Sequence, residues 1–146
     1  MKIFVDADSC PKPARELVLR RAEKLAIRVI FAANRLIPDA ARAQMEICPA
    51  GENAADDRIV ELAESGDIVI TRDVPLAKRL VEKDLTVLDD RGRVFTRNNI
   101  NELLSLRNFT VGLAENGIGF ERTANYGKKE LKTFADSFDR ILTKIL

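Results

Sequence analysis

Short runs of apolar, mostly β-branched residues alternate along the chain with longer stretches in which apolar residues return every three or four positions. The first kind has the length of a strand buried on both faces, and the second has the period of an amphipathic helix. Lys2 to Val5 predicts a strand, after which Pro13 opens a helix with Ala14, Leu17, Val18, Ala22 and Leu25 on one face. Ile27 to Ala32 (IRVIFA) predicts a second strand, with Asn34 just past its end. Arg35 to Arg42 has no clean period, and Gln44 to Cys48 is short enough to read as strand or helix. Pro49, Gly51 and Asn53 break the chain before a helix from Ala54 to Ser65. Ala55, Ile59, Leu62 and Ala63 form its inward side, and Gly66 stands just beyond its end.

Asp67 to Thr71 (DIVIT) predicts another buried strand, and Asp73 and Pro75 start a helix carrying Ala77, Leu80 and Val81. Thr86 to Leu88 leads into the turn Asp89-Asp90-Arg91-Gly92-Arg93 and a short extension from Val94 to Thr96. Ile100 to Leu106 reads as helix, and Asn108 to Tyr126, with three glycines, as irregular. Leu131, Phe134, Ala135, Phe138, Ile141, Leu142 and Ile145 make a final amphipathic helix. This alternation predicts an α/β fold, a three-layer α/β/α sandwich whose central sheet is mainly parallel. With no repeat, low-complexity tract or linker in the pattern, residues 1–146 are expected to form a single domain.

Composition narrows the chemistry more than the fold. A chain of 146 residues with 46% hydrophobic and 32% charged residues encloses one core. Its 24 Lys plus Arg against 23 acids leave a net charge of +1, so any case for nucleic acid must come from local placement. The absence of histidine removes Ser-His-Asp and Cys-His catalysis together with the commonest transition-metal ligand. Carboxylates, lysine or metal-bound water remain. Cys10 and Cys48 form no CxxC pair and read as buried or spare thiols. MKIFVDAD reaches acids too soon for a signal peptide, and no stretch approaches membrane-spanning length, so a cytoplasmic protein without a membrane partner is expected.

Parallel α/β sheets bind ligands outside the carboxyl ends of their strands, where Asp6, Asp8, Asn34, Thr71, Asp73, Asp89 and Asp90 all fall. Crowded carboxylates raise one another's pKa unless a cation compensates them, which points to an oxygen-ligated Mg²⁺ or Mn²⁺. Each acid also has an ordinary reading. Asp73 suits a helix N-cap, Asp56 and Asp57 suit the first turn of a helix, and Asp6 and Asp8 suit an Asx turn. Asp89, Asp90 and Gly92 suit a generic turn, and Asp67 starts its strand at the opposite edge. Arg91, Arg93 and Arg97 are either phosphate contacts or solvated side chains.

The motifs VDADSCP at 5–11, AADDRIV at 54–60, GDIVITRDVPLA at 66–77 and RGRVFT at 91–96 resemble the YaiI/YqxD family of small bacterial proteins. That family is placed among the PIN-like nuclease folds, and the likeness spans most of residues 1–110. It implies a single PIN-like domain with Asp6, Asp56 and Asp73 as the main metal-site and catalytic acids, Asp8 assisting. A Gly-Gly-Pro loop associated with the family before its last helix is not found around residues 120–129.

The leading expectation is hydrolysis of phosphodiester bonds in RNA or single-stranded nucleic acid by a Mg²⁺- or Mn²⁺-dependent nuclease. Asp6, Asp8, Asp56 and Asp73 would hold the metal and carry the catalysis, with Asn34, Thr71, Arg72 and Arg91 on the substrate side. One alternative is a haloacid-dehalogenase-like phosphatase with Asp6 as nucleophile and Asp8 as acid/base, its motif order imitated by Thr71 and the Asp89-Asp90 pair. Another is a non-catalytic RNA-binding or interaction module. Self-association into a homo-oligomer is left open.

Overall fold

The computed structural model describes residues 1–37, 44–48, 54–115 and 126–145. The apolar runs become β1 (Lys2–Asp6), β2 (Arg28–Ala33), β3 (Gln44–Ile47), β4 (Ile68–Ile70), β5 (Thr86–Leu88) and β6 (Val94–Phe95). Between and after them stand α1 (Lys12–Leu25), α2 (Ala54–Leu62), α3 (Val74–Glu82), α4 (Ile100–Glu115) and α5 (Lys128–Ile145). The strands form one sheet in the order β3-β2-β1-β4-β5-β6. Every neighbouring pair is parallel except β5 with β6, which the Asp89–Arg93 turn folds back antiparallel.

Side chains of a strand point alternately to its two faces, and here both faces are covered. Ile3, Val5, Val29, Phe31, Ile68 and Ile70 enter a core shared with Leu17 and Val18 of α1 and Phe134, Phe138 and Leu142 of α5. Phe4, Ile30, Val69 and Val87 enter a second core with Ile59 of α2, Leu76 and Leu80 of α3 and Ile100 of α4. Phe134 and Phe138, one turn apart, stack with ring centroids 5.5 Å apart. The result is the expected three-layer α/β/α arrangement.

The chain starts in the middle of the sheet, builds outward through β2 to β3, then crosses back to lay β4 and β5 on the other flank of β1. With that reversal the covering helices change face, from α1 to α2 and α3. Val5 pairs with Ile70, so the carboxyl ends of β1 and β4 lie side by side at the switch point, where open α/β sheets have their crevice.

Several boundaries differ from the sequence reading. The helix predicted to Ser65 ends at Leu62, because the Asp67 carboxylate accepts the N–H groups of Glu64 (2.9 Å) and Lys2 (2.9 Å) and turns the chain early. Leu25, placed on the inner face of α1, is 40% exposed; the next residue, Ala26, leaves the helix at φ 57°. The irregular stretch predicted from Asn108 is helical to Glu115. Leu106, Phe109 and Val111 are exposed there, so no apolar face marks this half of α4 in the sequence. The rest of that stretch at 116–125, most of the aperiodic Arg35–Arg42 segment and the breakers Pro49, Gly51 and Asn53 lie outside the described residues.

Candidate functional site

Four chain segments converge on the crevice between β1 and β4. A pocket of about 300 Å³ there is lined by Asp6, Asp8, Ser9, Asn34, Ala54, Ala55, Asp56 and Asp73. Asp6 is the last residue of β1, and Asp8 and Ser9 lie in the turn after it. Asn34 follows β2, Asp56 lies in the first turn of α2, and Asp73 precedes α3. Short loops after parallel strands bring these positions together although they are distant in sequence.

Asp6 is the buried acid of the set. Its Oδ2 accepts the hydroxyls of Thr71 (2.9 Å) and Ser9 (3.1 Å), while its Oδ1 accepts no hydrogen bond among the described residues. Burial pushes the Asp6 carboxyl upward, the two hydroxyl donors oppose this, and the charges of Asp73 and Asp8 add to the rise. Thr71 also accepts the backbone N–H of Asp73 at 3.0 Å, which ties the end of β4 to the start of α3. Asp73 is the N-cap of α3, its Oδ1 accepting the N–H of Leu76 at 3.0 Å.

Asp56 is pushed up to about 6, first by burial, then by the charges of Asp73 and Asp6 and by a hydrogen bond to the Asp73 side chain; Arg79 pulls the other way. A carboxyl so shifted takes up a proton more readily than an ordinary one, and in its protonated form can donate to the Asp73 carboxylate. Asp8 is turned partly aside. Its Oδ2 accepts the Asn34 N–H at 3.0 Å, and the Arg35 guanidinium lies 3.9 Å from its Oδ1.

Among the described residues no group of three or more acidic or thiol side chains is arranged, as it stands, to hold a metal ion. Asp73 is engaged as a helix cap, and Asp8 faces Asn34 and Arg35. The donor set still suits a hard divalent cation, since every acidic side chain lining the pocket offers carboxylate oxygen. Such an ion would offset the mutual repulsion of these carboxylates.

Of the residues expected on the substrate side, Asn34 lines the pocket. Thr71 lies beneath it, buried, with its hydroxyl engaged by Asp6 and Asp73. Arg72 and Arg91 are not among the lining residues. Arg72 pairs through Nη2 with the buried Asp90 carboxylate, and the Arg91 N–H caps Asp89 Oδ1 at 3.0 Å. Asp89 also accepts the Arg93 N–H at 2.9 Å, and Tyr126 donates its hydroxyl to the Asp90 carbonyl at 2.6 Å. The Asp89-Asp90 pair is therefore occupied in holding its own turn. Ser9 is the lining residue that the sequence reading passed over. A hydroxyl three positions after Asp6 in a turn was the available signal.

Similarity to known proteins spans nearly the whole chain. The profile of a family described as "Uncharacterized BCR, YaiI/YqxD family" matches residues 4–144. A UPF0178 protein of Treponema denticola is 50% identical over 146 residues, covering 100% of this chain and 94% of the relative. A UPF0178 protein of Syntrophobacter fumaroxidans is 44% identical over 146 residues, covering 99% and 95%. One of Myxococcus xanthus is 40% identical over 148 residues, covering 100% and 97%. No solved structure matches the chain. No helix among the described residues is long and apolar enough to cross a membrane.

Proposed function

The chain belongs to the YaiI/YqxD family, and from that premise we propose that it is a Mg²⁺- or Mn²⁺-dependent nuclease that hydrolyses phosphodiester bonds of RNA or single-stranded nucleic acid. The observation that carries the proposal is the meeting of Asp6, Asp56 and Asp73, from three separated segments, around one small crevice at the sheet's switch point. Three carboxylates crowded together are unfavourable unless a positive charge joins them, and the upward push on Asp56 is in keeping with that crowding. These are the acids that the PIN-like resemblance assigns to the metal.

Asp6, Asp56 and Asp73 would hold the cation, with Asp8 assisting. When bound, it would lower the pKa of its water and polarise the phosphoryl oxygens. The chain's own groups act around it. Thr71 and Ser9 hold the Asp6 carboxylate in one orientation, and the Asp73 cap fixes that carboxylate against α3. Asn34, at the pocket wall, would donate its side-chain amide to a phosphate oxygen. The phosphatase reading keeps Asp6, Asp8 and Thr71 but loses its third feature, because the Asp89 and Asp90 carboxylates are engaged by Arg93 and Arg72 and do not line the pocket.

The test is Mn²⁺ titration calorimetry together with cleavage of an unstructured RNA. Wild type is expected to bind Mn²⁺ and cut the RNA, and Asp6→Asn and Asp73→Asn to lose both while keeping the fold by circular dichroism. Mn²⁺ binding that is unchanged in both variants removes the site. RNA binding in EDTA without cleavage in Mn²⁺ selects a non-catalytic binding module.

A further inference from the structure

An acidic pocket repels a polyanion, so a phosphodiester strand needs fixed cations near it in addition to any metal. Two arginines stand just outside the pocket lining, one paired with the lining acid Asp8 and the other with Asp57, the neighbour of the lining acid Asp56. Arg35, just after β2, lies 3.9 Å from Asp8 and its side chain is 67% exposed. Arg79, on α3, pairs at 2.8 Å with Asp57, is 46% exposed, and its charge lowers the neighbouring Asp56. One belongs to the β2 side of the crevice and the other to the β4 side.

We infer that Arg35 and Arg79 are the phosphate-binding residues of this pocket and hold the linkages on either side of the one being attacked. The substrate is then a single-stranded oligonucleotide rather than an isolated phosphate ester. This rests on reading the pocket as a phosphodiester site and replaces Arg72 in the role expected from the sequence. The ion pairs themselves make the distinction. Exposed pairs such as Arg79 with Asp57 are worth little and exchange readily for a phosphate. Arg72 instead neutralises Asp90, whose side chain is 3% exposed, and leaving would strand a buried charge.

The experiment measures anisotropy of a short 5′-labelled oligouridylate against salt concentration, with Mn²⁺ and with EDTA. Arg35→Gln and Arg79→Gln are each expected to weaken binding several-fold and to reduce the log–log salt slope by about 0.7, one single-strand phosphate contact. The lysine variants keep the charge and should keep most of the slope, which separates contact from folding. Arg97→Gln, which breaks a pair with Asp84 past the far end of α3, should match wild type. Neutral methylphosphonate linkages flanking the central phosphate should weaken wild type but not the double variant R35Q/R79Q.

Binding by wild type that neither glutamine variant changes overturns the assignment and leaves the proposed activity standing. No RNA binding by wild type overturns both. Arginine-dependent binding without cleavage in Mn²⁺ keeps the assignment and removes the hydrolytic role.

Discussion

Thr71 and Asp6 meet across the boundary between β4 and β1: the Thr71 hydroxyl donates to Asp6 Oδ2 at 2.9 Å while accepting the Asp73 N–H at 3.0 Å. One buried hydroxyl thus sets the position of two pocket acids. Thr71→Val keeps the shape, removes both bonds, and leaves a buried carboxylate and a backbone N–H short of partners. A loss of roughly 1–3 kcal/mol in urea unfolding is expected. The Asp6 carboxyl should also titrate higher by carbon-detected NMR, because the lost donor favoured its charged form. Thr71→Ser should restore both. A valine variant as stable as wild type refutes the bridging role.

The raised Asp56 carboxyl makes stability depend on pH. Asp56 titrates near 6 in the folded chain against an ordinary 3.8, so between about pH 4 and 6 the folded state binds more protons than the unfolded state. Stability should therefore fall as pH rises through that window and level off above it. Asp56 is only partly buried, and solvent screening reduces the effect to on the order of 1 kcal/mol. Asp56→Asn should flatten the decline, and Mn²⁺ should flatten it in wild type by favouring the ionised form. Urea midpoints measured across the window in EDTA check this, and identical slopes in wild type and variant count against it.

Gly92 is required by its position. Its φ is +87°, and a Cβ there would stand 2.7 Å from the Thr133 carbonyl oxygen, where α5 presses on the turn between β5 and β6. Its own carbonyl accepts the Ser137 hydroxyl at 2.7 Å. Gly92→Ala combines backbone strain with a backbone clash and should cost at least ~2 kcal/mol, seen as a lower thermal midpoint. An unchanged midpoint means that α5 moves away freely.

Most of the scaffold is written in local pattern. Runs such as IRVIFA and DIVIT are apolar at every position because both faces of their strands are covered, and the Pro75 start and final apolar stripe mark α3 and α5. The second half of α4 was illegible because its apolar residues face outward and leave no period. The site was legible as far as chain position decides it. Asp6 ends a strand and Asp8 and Asp73 follow one, whereas Asp56 required the family resemblance because an acid in a helix's first turn has an ordinary explanation. Partner choice was beyond the sequence. Arg72 and Arg91 stand next to strand ends as Arg35 does, and only the fold separates the arginine on a buried acid from those on exposed ones.

That separation predicts opposite behaviour at neighbouring cations. Arg72→Gln leaves the Asp90 carboxylate buried without its counter-charge, beside the turn that Tyr126 also holds. Removing one partner of a fully buried pair costs about 3–5 kcal/mol, and because the Arg72 side chain is 52% exposed a loss of roughly 2 kcal/mol is expected. Arg79→Gln breaks a pair whose Asp57 side chain is 63% exposed, and should shift stability by less than about 0.5 kcal/mol. RNA binding should show the reverse order, with R72Q keeping the wild-type salt slope once its fold is confirmed. The double variant R72Q/D90N, in which neither charge is left alone, should recover part of the lost stability. If R72Q proves as stable as wild type but loses the salt slope, Arg72 is a substrate contact and the division between structural and phosphate-binding arginines fails.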